Sequence, residues 1–574
     1  MLNDLWYRWS RPTRFTLFLV LIALLWRLIF WPTSQGAYTD GILQIDFMRQ
    51  GLSFWPPLYA LLTRGLAWTP GLGLESAARL LSLLAGTLML LPLMSFTRRL
   101  FGLRTAVWAA IAWIVSPLAL RWSLQVMTDM TMCWFWMASI ASTLIGLHYL
   151  MPGLFPPHDR GAGSGNPQQA RRWLLLASLT AALATLTRYQ GILLLPPMLL
   201  VFWKLRPILS RPRAPRWDPW WLLLPWAAVP LWLLRHGPGP ILAHLDQMRE
   251  RTATSLGTSL LNYTQLFEQF LLMSPYFLTY GLFGFLVYGL LRIQWRTARL
   301  RWTGWLFLYL VLAILVLQSV FASFQSRYLL PLLPMACVFI GHGLATWQRH
   351  TEHQPLRRWV LILPTLGLAL LFSTLVATYQ GNPFHDLKMA ARFIHRHNQP
   401  GPTTRIVSDE YYPVAGEQPI VAPKLKFWLR DGNVIPLHLG QFQPGDIIVV
   451  SSYYYPTPKQ YLRQRSMLQE LLPLSEPETF SRRALPLLPD IMQESLTHQN
   501  PLAWLLRYQW QYFETSVMQI QENGGATSEP TARPPRPNMP PPSTIGDNMV
   551  EKLETLSEQI ERFKIDESRT TTTP

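Results

Sequence analysis

Phe15 to Pro32 reads FTLFLVLIALLWRLIFWP, an apolar run whose one charge is Arg27. A bilayer core takes roughly 20 such residues per helix, with about 17 as the floor. Arg8, Arg11 and Arg14 precede the run, as they would in a secretory leader. The run is long for a leader, however, and no small-residue cleavage site follows it closely, so it reads as an uncleaved first membrane span. Outward from it, comparable stretches lie near 76–95, 104–121, 128–150, 172–187, 190–203, 219–236, 274–292, 303–322, 327–347 and 358–378. That makes about eleven spans. The fifth and sixth are short and parted only by Arg188-Tyr189-Gln190.

Charge placement sets the orientation. Cytoplasmic loops carry the excess of Lys and Arg. With residues 1–14 cytoplasmic, alternate loops hold Arg98, Arg99 and Arg104, then Arg160, Arg171 and Arg172, then Lys204, Arg206, Arg211, Arg213 and Arg216. Arg292, Arg296, Arg299 and Arg301 follow, and then Arg349, Arg357 and Arg358. The intervening loops hold fewer cations and more acids, among them Asp40, Asp46, Asp129, Asp246, Glu250 and Glu268. An odd number of spans then puts the C-terminal region outside. This pattern predicts a multi-pass membrane protein, N-terminus cytoplasmic and C-terminus extracytoplasmic.

Composition agrees. The chain has 574 residues, half of them hydrophobic, with 26 Trp and a formal net charge of +18. Only 14% are charged, against about 25% in soluble proteins. One soluble globule, a disordered chain and a disulfide-stapled domain are excluded. Cys133 and Cys337 both sit in apolar runs, so no Cys-based metal site is available. The positive charge lies beside membrane spans, which argues for lipid and against nucleic acid as its partner.

Residues 15–380 form the transmembrane part, with long outer loops at 33–75 and 237–273. In the first, Asp40 to Gln50 and then Trp55-Pro56-Pro57-Leu58-Tyr59 read as short interfacial helices joined at a Pro-Pro corner. After Tyr379 the pattern changes. Residues 386–397 predict an amphipathic helix, 405–408 and 446–451 strands, and 458–472 a helix: a small extracytoplasmic α/β domain over 381–485. Residues 486–520 read as a helical extension, and 521–574, rich in Pro, Ser and Thr, as a mostly disordered tail.

Ionisable residues at membrane depth are expensive and point to function by default. On the outer side these are Asp40, Asp129, Arg188 and Arg327, with Arg27 inside the first span. Singly, each aspartate reads as a helix N-cap and each outer arginine as a snorkelling side chain. Jointly they put two carboxylates and two guanidiniums at one depth. His395 and His397 do not share a helix face, and Asp409-Glu410 reads as a polar turn. His244, Asp246 and His385-Asp386 are weaker candidates for reaching a substrate. No Walker loop, Rossmann fingerprint or HExxH is present.

Five ordered motifs carry a resemblance. They are Tyr38-Thr39-Asp40, Pro56-Pro57-Leu58-Tyr59, Met127-Thr128-Asp129-Met130, Leu186-Thr187-Arg188-Tyr189-Gln190-Gly191, and Ser326-Arg327-Tyr328 with Pro331 and Pro334. With their topology, over about residues 15–380, the chain resembles the GT-C superfamily of integral-membrane glycosyltransferases. It is particularly similar to bacterial relatives of the protein O-mannosyltransferases and of the lipid A aminoarabinose transferase. The resemblance implies sugar transfer from a polyprenyl-phosphate-linked donor to a lipid, glycan or protein acceptor on the outer face, with inversion. Asp40 then takes the general-base role, Asp129 positions Asp40, the acceptor or a divalent cation, and Arg188 and Arg327 hold the leaving phosphate. Asp46, Tyr59 and His244 fall to the donor and acceptor loops. Two departures stand out. Many relatives carry an acidic pair where this chain has Asp40-Gly41, and the aminoarabinose transferases carry a lysine where it has Trp55. The competing reading is a transporter or flippase of lipid-linked glycans, which predicts related halves with broken helices in matching positions; a non-catalytic assembly factor is a third.

Overall fold

The structure is a computed structural model. It describes residues 11–33, 41–42, 56–151, 166–209, 219–236, 278–295, 297–320, 326–380, 385–397, 405–409, 411–412, 420–421, 425, 428–429, 433–437, 442–452, 458–484 and 511–521. Two compact units emerge: Met1–His385 with Val414–Glu417 and Arg482–Tyr512, and Asp386–Pro413 with Gln418–Ser481 and Phe513–Pro574.

The first unit is helical. Helices α1 (Arg11–Ile29), α2 (Leu58–Ala67), α3 (Leu74–Leu88), α4 (Leu90–Phe101), α5 (Leu103–Ile114), α6 (Pro117–Ser123) and α7 (Thr128–Leu150) come first. Next are α8 (Pro167–Thr187), α9 (Leu195–Leu209), α10 (Ala228–His236), α11 (Tyr280–Leu291), α12 (Ala298–Val320), α13 (Leu333–His350) and α14 (Pro355–Gln380). On α1 the residues Leu19, Ala23 and Arg27, four apart, point inward, while Phe18, Leu21, Leu25 and Leu28 are exposed. On α12 it is Trp305, Leu308, Leu312 and Val316 that face out. Stripes of large apolar side chains turned away from the protein are tolerable only where the surroundings are themselves apolar. The unit is therefore built for a bilayer.

Apolar helices occupy the stretches expected to cross. By length and hydropathy, four of the described ones suffice: Leu74–Phe101, Thr128–Leu150, Arg327–His350 and Pro355–Thr378. A fifth is possible if α5 and α6, bent by 61°, are one span. Shorter apolar helices are Tyr189–Leu205, Trp221–Leu234, Tyr280–Leu291 and Leu300–Ile314. Tyr189–Leu194, Pro219–Ala227 and Ser326–Leu332 wind as 3-10 helices, and Pro225 and Pro331 lie inside two of them.

The α5–α6 break is well made. Ser116 caps α6 by accepting from the Ala119 N–H at 3.4 Å, with Pro117 in the first turn where a missing N–H costs nothing. The Ser373 hydroxyl donates to the Val115 carbonyl at 2.5 Å, giving it a partner at the break. Every residue of α6 is buried, the one setting in which broken backbone survives at membrane depth. Helix α6 leads directly to the start of α7.

The second unit holds helix α15 (His385–His397) and strands β1 (Arg405–Ser408), β2 (Tyr411–Tyr412), β3 (Ile420–Val421), β4 (Asn433–Pro436) and β5 (Ile447–Ser451). Helix α16 (Pro458–Leu471) and strands β6 (Glu478–Ala484) and β7 (Gln511–Gln519) complete it. The five-stranded sheet runs β4-β1-β5-β7-β6. Strand β1 pairs parallel with β4 and β5, and β7 runs antiparallel to β5. Helices and strands at 386–397, 405–408, 446–451 and 458–472 match the sequence expectation to within a residue.

One expectation is corrected. Residues 511–519, assigned to a helical extension, are a strand inside the sheet. Thr515, Ser516, Val517 and Met518 are all buried, so the polar–apolar alternation that announces a half-exposed strand is missing. Their hydroxyls are satisfied: Thr515 donates to Asp386 Oδ2 at 2.7 Å, and Ser516 Oγ lies 2.7 Å from the Tyr461 hydroxyl. Asp386 is thereby engaged in holding the sheet. His395 and His397 are exposed on α15, as a solvated helix surface predicts.

Candidate functional site

Three of the four outer charges converge. Helix α7 begins after Met127, whose extended backbone makes it the N-cap without a side-chain cap. Asp129 is therefore not a cap. It stands in the first turn, where the helix dipole favours a carboxylate, and is 1% exposed. Arg188 Nη1 donates to Asp129 Oδ2 at 2.6 Å and to the Thr128 hydroxyl at 3.4 Å, while its Nε donates to the Gln190 side-chain carbonyl.

A tight turn brings Arg188 there. Arg188 leaves α8 in an extended conformation, and its carbonyl accepts from the Gly191 N–H at 2.9 Å. The 3-10 turn then folds back so closely that a Cβ on Gly191 would collide with the backbone of Ala184 and Thr185. Only glycine fits. Gln190, within the same turn, holds the guanidinium at Nε, while Asp129 holds it at Nη1.

Arg327 also lies in a 3-10 turn, the one that leads into α13. Its Nη1 lies 3.9 Å from Met127 Sδ, and its Nη2 donates to the Tyr328 hydroxyl at 3.4 Å. The Tyr328 ring is near both arginines, 5.4 Å from the Arg188 Cζ and 5.2 Å from the Arg327 Cζ. Both contacts are within cation–π range. An electron-rich face thus holds two like charges near each other. Tyr328, Thr128 and Gln190 stand in the quoted motifs but were given no role of their own; the first two adjoin Arg327 and Asp129, and Gln190 lies two residues from Arg188.

Tyr59 is fully buried; its hydroxyl donates to the Ala78 carbonyl at 3.1 Å and lies 3.4 Å from Ser82 Oγ. Ser82 in turn donates to the Met127 carbonyl at 3.1 Å. Burial, with the Asp129 charge adding to it, pushes the Tyr59 phenol far above its ordinary value, so it stays neutral. The residue expected in a donor or acceptor loop is engaged in seating α2 and α3 beneath the start of α7.

Asp40, Asp46 and His244 lie outside the described residues. Gly41, next to Asp40, packs on the Val126 carbonyl so tightly that any Cβ would collide with it. This gives a steric reason why the second acid of an Asp40-acid pair is replaced here by glycine. Among the described residues no three His, Cys, Asp or Glu side chains converge as metal ligands.

The comparisons with known proteins bear on this fold. The profile of the dolichyl-phosphate-mannose-protein mannosyltransferase family matches residues 55–149, a stretch holding Asp129 and Tyr59. No curated protein matches the sequence. Among solved structures, ArnT from Cupriavidus metallidurans in the apo state is 17% identical, covering 81% of this chain and 96% of its own, with a TM-score of 0.50. The same protein bound to undecaprenyl phosphate is 16% identical, covering 79% and 95%, with a TM-score of 0.51. The chain shares the fold of ArnT. The start of α7, the end of α8 and the 3-10 turn before α13 carry the ionisable cluster, and the family profile reaches only the first of the three.

Proposed function

We propose that this chain transfers a sugar from a polyprenyl-phosphate carrier to a hydroxyl acceptor on the outer face of a bacterial inner membrane, inverting the anomeric centre. The observation that carries the reading is the grouping of Asp129, Arg188 and Arg327 around Tyr328 at helix ends in a GT-C fold. ArnT, the fold neighbour, is a protein that binds undecaprenyl phosphate, a lipid of the proposed class.

The chemistry follows from the leaving group. A lipid-linked phosphate departs as an anion and needs no general acid, but its developing charge needs cations already in place. Arg327 fits that role, with Arg188 contributing the nitrogen that Asp129, Thr128 and Gln190 do not occupy. Guanidinium–phosphate hydrogen bonds are among the strong, charge-assisted kind. Asp40 takes the proton of the acceptor hydroxyl as it attacks the anomeric carbon from the face opposite the phosphate. Asp129 holds Arg188 in place. Asp46 and His244 belong to the loops that receive donor and acceptor.

Asp40→Asn, with expression and membrane insertion verified, tests the assignment. Product should fall by about 100-fold or more, the scale of a lost general base, read as glycan formed in isolated membranes. Undiminished product removes Asp40 from the mechanism. Sugar carried across vesicles without becoming attached to anything favours the transport reading instead.

A further inference from the structure

Asp129 is where a divalent cation would be looked for, because it is a buried carboxylate facing the outer cluster. Its surroundings do not suit one. Oδ2 is taken by Arg188 Nη1 at 2.6 Å, and the neighbouring Thr128 hydroxyl, the next oxygen a cation would recruit, also faces that nitrogen at 3.4 Å. A cation ligated by Oδ2 would stand about 2 Å from it, and so within a few ångströms of a fixed guanidinium. Arg188 cannot swing away cheaply, being held by Gln190 on one side and stacked over Tyr328 on the other. Nor can it shed its proton, since guanidinium stays charged in proteins.

We infer that Arg188 is a built-in counter-cation for Asp129, and that this site operates without a divalent metal ion at Asp129. The inference rests on the transferase reading only in giving the site its purpose; the pair itself is a matter of geometry. Toward Asp129, Arg188 acts as a positioning residue, alongside the nitrogen it offers to the leaving phosphate. It neutralises and orients Asp129, and through Tyr328 sets its own spacing from Arg327.

Titration of the purified full-length chain in detergent with MnCl2, following the electron paramagnetic resonance signal of free Mn2+, is the test. The wild type should show either no Mn2+ site or one whose affinity differs by less than about twofold in Asp129→Asn. A stoichiometric site weakened at least about tenfold by Asp129→Asn overturns the inference. Should Asp129→Asn fail to fold, Asp129→Glu is read by the same criterion, because moving the carboxylate by one methylene alters the affinity of any metal it ligates. This measurement involves no sugar transfer. A chain that transfers nothing yet shows no Asp129-dependent Mn2+ binding refutes the transferase reading and leaves this inference standing, and Mn2+ bound at Asp129 in an active transferase does the reverse.

Discussion

Two buried arginines in the helical unit live by different rules. Arg188 is 7% exposed and has a carboxylate at 2.6 Å, a hydroxyl, an amide and an aromatic face. Arg27 is 0% exposed, and among the described residues its one hydrogen bond is from Nη1 to the Ala23 carbonyl at 3.1 Å. Among the described residues its Nε and Nη2 have no partner. Helices α3, α4 and α5 pack against α1, and the single acid on them, Glu75, is paired with Arg79 at 2.5 Å. The contrast teaches that burial does not by itself mark a working charge. The informative feature is whether its surroundings were built to receive it.

The largest effect should come from breaking the satisfied pair. Arg188→Leu leaves Asp129 as a buried, unpaired carboxylate, a change worth about 3–5 kcal/mol of lost stability. Replacing both, as Asp129→Leu with Arg188→Leu, removes the stranded charge along with the pair and should recover most of that loss, since apolar replacements of buried pairs are often neutral. Thermal unfolding in detergent reads both. Equal losses in the single and the double variant would show that the pair is not what stabilises the corner.

Smaller effects separate how the two corners are packed. At the Arg188 corner a Cβ on Gly191 meets backbone, that of Ala184 and Thr185. At the Arg27 corner a Cβ on Gly86 meets the Ser123 side chain and comes within 3.3 Å of Arg27 Nε. Backbone cannot step aside and a serine side chain partly can. Gly191→Ala should therefore cost about 2–3 kcal/mol, the upper part of the overpacking range, and Gly86→Ala nearer 1 kcal/mol. The same melting experiment orders them, and a reversed order would refute the packing argument.

The glycine that builds the site is also a lesson in what was legible. Hydropathy and charge placed the helices, because a period and a sign repeat over many residues and survive local irregularity. The motif Leu186-Thr187-Arg188-Tyr189-Gln190-Gly191 was visible, and so was its position between two apolar runs. What stayed hidden was that its glycine lets the chain double back and aim Arg188 at Asp129, a pairing across 59 residues. Tertiary partners leave no periodic trace. Strand Gln511–Gln519 was missed for a related reason: burial on both faces erased the alternation that marks a strand. The parallel strands Arg405–Ser408 and Ile447–Ser451 were legible through their short β-branched runs bounded by polar residues.

The smallest effect is expected at Arg27, and it is the one that sharpens the comparison most. Methionine has a similar length, no charge and the freedom to fill an irregular space. Arg27→Met forfeits the bond to the Ala23 carbonyl, about 1 kcal/mol, and relieves the burial of a guanidinium with two nitrogens lacking partners. Those terms oppose one another, so the melting temperature should stay put or rise. A fall equivalent to more than about 3 kcal/mol, the loss typical of breaking a buried ion pair, would mean that an anion reaches Arg27 from beyond the described residues. Asp40 and Asp46 are the only acids between Arg27 and Glu75, and repeating the measurement with Asp40→Asn and Asp46→Asn would identify which of them it is. Arg27 would then join Arg188 as a charge with a built partner, and the distinction between the two corners would be lost.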